Sequence, residues 1–263
     1  MIDANNRWFA HYNIHENAKV NLFCFTFAGS SASFFAPWKN YFNKDINFIP
    51  VLYPAREKRI SEPMPNKVDS LVNDFISDNK GLFKKPYAIW GHCSGALIGL
   101  EVAYREGLNG NWPIGCIISG CEPPIHVKQS LEKRSIVSKT SDQDIIDDLS
   151  LYGLIPKTIL QDEMFLKYFI PIYRKDLKVF SSYDYLRDTK LQCPALILNG
   201  SNDSLVSEKK LNDWVNYFQE EIKYKTFKGS HHFIDEHRRE VSETIIKFIE
   251  CINRRIKIEK KRI

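Results

Sequence analysis

The segment YAIWGHCSGALIGLEVA, residues 87–103, changes pattern abruptly at its fifth residue. Its first four residues are a continuous apolar run, as expected of a strand buried on both faces, whereas Ala96, Leu97 and Leu100 recur at helical spacing. Between them lie Gly91, His92, Cys93, Ser94 and Gly95. A strand that turns straight into a helix over Gly-x-Cys-x-Gly forces its central residue into a strained backbone conformation. The flanking glycines are needed because side chains there would collide with neighbouring backbone. In that register Cys93, not Ser94, projects above the sheet, and the start of the helix lends it positive partial charge, which favours thiolate.

Outward from this segment, similar apolar runs without period-two alternation occur at 20–27 (VNLFCFTF), 47–52 (NFIPVL), 114–119 and 195–199 (ALILN), with IKYKTF at 222–227 as the last strand. Helical patterns lie between them at 68–79, 96–106, 208–218 and 240–252. Alternation of buried strands with helices predicts an α/β fold, a mostly parallel sheet with helices on both faces. One stretch breaks the rhythm: from about 123 to 187 there is no buried strand. Ser141 starts a helix with acidic residues in its first turn, stopped by Gly153 and Pro156, and helices at 162–169 and 174–180 follow with Pro171 between them. The expected organisation is a core of residues 1–122 and 188–263, with 123–187 a helical lid over a pocket at the strand ends.

With 263 residues and 43% hydrophobic content the chain can bury one large core, and 26% charge keeps its surface solvated, so a disordered chain is excluded. No segment approaches the apolar length that spans a bilayer, and the N-terminus lacks a secretory signal pattern, so a cytoplasmic protein without a membrane contact is expected. The six cysteines, Cys24, Cys93, Cys116, Cys121, Cys193 and Cys251, show no C-x-x-C spacing. They read as reduced thiols, with neither disulfides nor a metal site. Much of the net charge of +5 comes from RRIKIEKKRI, residues 254–263, read as a solvated terminus because no nucleic-acid motif accompanies it. A weakly basic surface suits an acidic protein partner.

A nucleophile at an elbow needs a base and a group to orient that base, in the chain order nucleophile, acid, histidine. Asp203 stands in GSNDSLVS, 200–207, directly after the ALILN strand, and His231 or His232 stands in KGSHHFI, 228–234, directly after IKYKTF. Each candidate thus falls at the C-terminal end of a strand.

Taken together, these motifs resemble the type II thioesterases of nonribosomal peptide and polyketide synthesis, within the α/β-hydrolase superfamily. LFCFTFAGSSASFFAPW (22–38) is similar to the family's first strand and oxyanion loop, and YPAREKRISEP (53–63) to its Pro-Gly-Arg-Glu-Arg-Arg segment. YAIWGHCSGALIGLEVA resembles the elbow, FIPIYRKDLKVFSSYDY (169–185) a lid helix, CPALILNGSNDSLVS (193–207) the acid loop, and FKGSHHFI (227–234) the family's Gly-Gly-His-Phe-Phe-Leu. The resemblance places the base at His231, the acid at Asp203, and the oxyanion hole at the backbone N–H of Ser94 with that of Ala28, or alternatively Phe27. It implies no cofactor, since the substrate rides on the phosphopantetheine of an acyl or peptidyl carrier protein; a monomer is the default expectation. His92 is expected to be structural, and Arg56 and Arg59 either structural ion-pair partners or contacts to the carrier.

Three residues depart from the family pattern: Cys93 replaces the usual serine, Ser94 the usual methionine, and Ser30 the usual second glycine. Serine attacking a thioester makes a more stable oxygen ester that water then cleaves, whereas cysteine makes a second thioester that can pass its acyl group to another thiol. The resemblance therefore implies hydrolysis of carrier-bound acyl or aminoacyl thioesters, with acyl transfer between carriers as the alternative. An inactive carrier-binding protein is a third reading, disfavoured because every triad residue and both elbow glycines are present.

Overall fold

The computed structural model describes residues 6–134, 141–183 and 189–259; the expected boundary at 187/188 and the end of the basic tail, 260–263, lie outside them. Six strands, β1 (Val20–Phe25), β2 (Ile46–Pro50), β3 (Tyr87–His92), β4 (Gly115–Ser119), β5 (Ala195–Gly200) and β6 (Ile222–Phe227), form one sheet in the order β2-β1-β3-β4-β5-β6. Every pairing is parallel. Alternate side chains of these runs divide between two cores. Phe23, Phe25, Tyr87 and Ile89 face α1 (Val68–Asn79) and α2 (Ser94–Leu108), while Leu22, Cys24, Ala88 and Trp90 pack with Phe35 and Trp38 and with the last helix of the chain. Burial on both faces explains the unbroken apolar runs. The sheet edges are protected. Antiparallel bridges of Phe9 to Val51 and Asn13 to Phe48 cover the β2 side, and Lys223 and Lys225 interrupt β6.

The described residues of the insert form helices and turns without a strand, but its elements differ from those expected. A first helix, α3 (Pro124–Arg134), precedes the helix capped by Ser141, α4 (Asp142–Leu151), in which the Ser141 hydroxyl accepts from the Asp144 N–H at 3.1 Å. Pro124 starts α3 without losing a hydrogen bond, because the first N–H groups of a helix have no partner within it. The two helices expected around Pro171 are one, α5 (Glu163–Ser181), capped by Asp162. Pro171 is exposed, so the carbonyl it leaves unpaired faces solvent, while Phe169, Ile170, Ile172, Tyr173, Leu177 and Phe180 are buried. Packing of that stripe outweighs the breaker.

Likewise the helix expected over 208–218 is only α6 (Glu208–Leu211), followed by a 3-10 turn at Asn212–Asn216, where Asn212 and Asp213 favour turn conformations. Helices α7 (Phe233–Glu236) and α8 (Arg238–Glu259) complete the chain. Ile145, Leu149, Phe169, Ile170, Tyr173 and Leu177 form a small core of the insert, and Val179 and Phe180 join the main core, fastening α5 to the sheet domain. No helix among the described residues is long and apolar enough to cross a membrane.

Candidate active site

In a parallel sheet, the loops after the strands gather at one edge, and a crevice opens there where the strand order reverses. Here the loops after β1, β3, β4, β5 and β6 meet at that edge beneath the insert.

After β3 the chain turns through Cys93, whose φ of +53° and ψ of −126° lie where L-residues are strained. The turn is clamped by Cys93 N–H donating to the Ser119 carbonyl at 2.8 Å and Ala96 N–H to the Cys93 carbonyl at 3.0 Å. Both glycines are sterically required. A Cβ on Gly91 would lie 2.3 Å from Ala96 Cα, and one on Gly95 would lie 2.3 Å from the Phe25 carbonyl oxygen. Cys93 is consequently half-buried, facing a cavity of 520 Å³, while Cys24, Cys116, Cys121 and Cys193 are buried; all six cysteines are free.

His231 follows β6 and is almost completely buried. Its Nδ1 donates to Asp203 Oδ2 at 2.8 Å, and its ring neighbours Cys93 closely enough for their charges to act on each other. The other carboxylate oxygen of Asp203 accepts the N–H groups of Leu205 (2.9 Å) and Val206 (3.2 Å). The acid and histidine loops are held together by Ser201 N–H to the Phe227 carbonyl and Asn202 N–H to the Gly229 carbonyl, each at 2.8 Å. Close approach at Gly200 makes this possible, since a Cβ there would lie 2.2 Å from the Ser230 carbonyl oxygen. The fold therefore brings Cys93, His231 and Asp203 together at the cavity, the histidine hydrogen-bonded to the carboxylate and electrostatically coupled to the thiol. His232 is directed elsewhere: its Nε2 donates to the Leu154 carbonyl of the insert at 2.7 Å.

Burial by itself pushes the Cys93 thiol up, but the charge and hydrogen bond of His231 and the N–H of Ser94 outweigh it and hold the thiol below its ordinary value. Burial pulls His231 down, and the Cys93 and Asp203 charges and hydrogen bonds more than reverse that, lifting it to about 10. Both shifts favour a thiolate–imidazolium pair. His92, fully buried 5.1 Å from the His231 ring, is pushed well below the usual imidazole range by burial and by the neighbouring histidines; its Nδ1 lies 3.1 Å from Ser119 Oγ beneath the elbow.

The loop after β1 is fixed by Asp176, which sequence patterns do not single out, and by Arg56, for which a structural ion pair is one of the expected roles. Asp176 of α5 accepts Gly29 N–H at 2.8 Å and forms an ion pair with Arg56 at 2.5 Å, both side chains 1% exposed. Arg56 also donates to the carbonyls of Ser30 (2.6 Å) and Pro54 (3.1 Å). Arg59, likewise buried, donates to the Leu52 carbonyl and Glu62 and stacks over Trp8. Neither arginine is left to meet a partner at the surface. The available signal for Asp176 was an acidic residue on the buried stripe of an amphipathic helix, where an unpaired charge is costly. Asp176→Ala should cost about 3–5 kcal/mol in a urea titration by stranding the buried Arg56 guanidinium, and Arg56→Met in the same chain should recover part of it. An unchanged stability of Asp176→Ala would show that the pair is not a fastening.

The cavity walls are mostly apolar, with Phe27, Leu97, Leu149, Phe169, Tyr173 and Leu177 among them, and one polar corner where buried Glu122 accepts Ser130 Oγ (3.1 Å), Ser207 N–H (2.9 Å) and Lys210 Nζ (3.0 Å). Such a site can take an acyl chain and present its carbonyl carbon to Cys93.

A model of the thioesterase domain family matches residues 20–250. Among curated proteins, the gramicidin S biosynthesis protein GrsT of Aneurinibacillus migulanus is 30% identical over 254 residues, covering 96% of this chain and 97% of that protein. Among solved structures, ClbQ from the colibactin NRPS/PKS pathway superposes with a TM-score of 0.80 at 23% identity, covering 90% of this chain and 99% of that one. The type II thioesterase BorB from the borrelidin biosynthetic cluster gives 0.79 at 25% identity, covering 91% and 96%.

Proposed function

The chain belongs to the thioesterase family, and from that premise we propose that this thioester hydrolase is a type II editing enzyme. It removes acyl or aminoacyl groups from the phosphopantetheine arm of an acyl or peptidyl carrier protein in nonribosomal peptide or polyketide synthesis. The observation that carries the reading is that Cys93, His231 and Asp203 line one apolar cavity, with His231 hydrogen-bonded to Asp203 and electrostatically coupled to Cys93. The Cys93 thiolate attacks the thioester carbonyl, the carbon–sulfur bond to pantetheine breaks, and His231 returns a proton to the departing thiolate. Neutral His231 then takes a proton from water as it attacks the acyl-enzyme, and the bond from the acyl carbon to the Cys93 sulfur breaks, releasing the free acid and restoring the thiolate, while Asp203 holds the imidazole in orientation.

Sulfur at the elbow supports a second reading, acyl transfer between carriers, because donor thioester, acyl-Cys93 and acceptor thioester are close in energy, and apolar residues of helices α3 to α5 line the cavity beside Cys93. Intact-protein mass spectrometry with an acyl-loaded carrier, with and without an empty holo-carrier, separates them. Editing releases free acid whether or not the acceptor is present; transfer retains the acyl mass on Cys93 until the second carrier receives it. Cys93→Ser should shift the products toward free acid, since the acyl group falls to an oxygen ester that does not return readily to a thiol. An unchanged product ratio would refute that energetic argument.

A further inference from the structure

The two backbone N–H groups expected to hold a developing oxyanion differ in this structure, since one of them already has a hydrogen-bond partner. Ala28 N–H donates to Ser94 Oγ at 2.9 Å, and Ser94 N–H lies next to the Cys93 sulfur, where it favours the thiolate. The second turns to the oxyanion by the chemistry itself: when the thiolate becomes a carbon–sulfur bond, its charge moves to the carbonyl oxygen, and Ser94 N–H is left to serve that charge. The first is not released in this way, because a hydroxyl oxygen stands where an oxyanion bound to Ala28 N–H would sit.

That hydroxyl is half-buried, lines the cavity beside Cys93, and has no acceptor for its own proton among the described residues. A serine oxygen accepts and donates at once. We propose that the Ser94 hydroxyl is a catalytic oxyanion donor, relaying the Ala28 N–H to the thioester carbonyl oxygen so that one residue supplies both hydrogen bonds to the tetrahedral intermediate. The N–H behind it polarises the O–H, and such chains of hydrogen bonds strengthen one another in a site shielded from water. Methionine, the residue usual at this position in the resembling family, offers no proton there, so Ser94 adds a donor at the position beside which sulfur has replaced oxygen.

The inference rests on the proposed function, in which Cys93 is the group acylated, and the test keeps the two apart. Single-turnover acylation by hexanoyl-pantetheine thioester is followed by intact mass for wild type, Ser94→Ala and Ser94→Thr, and alkylation by iodoacetamide is timed on the same proteins. Alkylation attacks a saturated carbon and develops no oxyanion, so it reads the thiolate alone. The expected result is acylation slower by about 10²-fold in Ser94→Ala, recovered to within a few-fold in Ser94→Thr, with alkylation rates of all three alike. Acylation of Ser94→Ala at or above the wild-type rate would overturn the proposal by showing that Ala28 N–H serves directly once uncovered. Parallel loss of alkylation would overturn it by placing the role of Ser94 at the thiolate. A wild-type protein acylated somewhere other than Cys93 would overturn the proposed function and this inference with it.

Discussion

Cys93→Ala should lose acyl-enzyme formation entirely and lower thioester cleavage by about 10⁴- to 10⁶-fold, the scale on which removal of a covalent nucleophile acts. The loss should be chemical rather than structural. The position tolerates a Cβ at its strained φ already, the side chain is only half-buried, and the two contacts that clamp the elbow, to the Ser119 carbonyl and from Ala96 N–H, are made by the backbone of residue 93. The substituted chain should therefore show the wild-type midpoint in urea while an acyl-loaded carrier keeps its acyl mass. Ser94 is the neighbouring group able to compromise this outcome, because its hydroxyl also faces the cavity. Retained turnover with acyl mass on Ser94 would move the nucleophile by one residue, whereas retained turnover with no acyl-enzyme would point to direct attack by water.

Much of this architecture was legible because the signals are local. Runs buried on both faces placed all six strands to within about two residues, and strand ends followed by Cys93, Asp203 and His231 brought into view three residues that the fold gathers at one cavity. What could not be read depended on packing between distant segments. Pro171 looks like a helix break until the opposite face of α5 is seen to be buried. Asp176 lies 120 residues from Arg56 along the chain, and no pattern within either segment announces the pair. The Ala28 N–H was expected to stand open to substrate, and only the fold shows Ser94 Oγ closing onto it across 66 residues. The choice between adjacent histidines came from motif matching rather than from physical chemistry. Their separate partners, Asp203 for one and the Leu154 carbonyl for the other, are set by the loop after β6 and the chain leaving α4.

Those partners predict a sharp difference between the two histidines. His231→Ala should slow turnover by about 10³- to 10⁴-fold, since it removes both the proton acceptor of deacylation and the cation that keeps Cys93 ionised. The second effect has a signature of its own in the pH dependence of iodoacetamide labelling. In the wild type the imidazolium charge and hydrogen bond outweigh burial and hold the thiol below its ordinary value, so labelling of Cys93 should persist as pH falls below the range in which a free cysteine reacts. Without His231 the burial contribution is left with only the Ser94 N–H against it, and the labelling midpoint should move upward, past that of a free cysteine. His232→Ala should change turnover by only a few-fold and leave the labelling midpoint in place, because its ring is hydrogen-bonded to the insert and its own pKa is lowered by burial and the His231 charge. The reverse ranking, with His232→Ala the more damaging and His231→Ala labelled as wild type, would assign the base to the wrong side chain and break the chain from Cys93 to Asp203 as a functional unit.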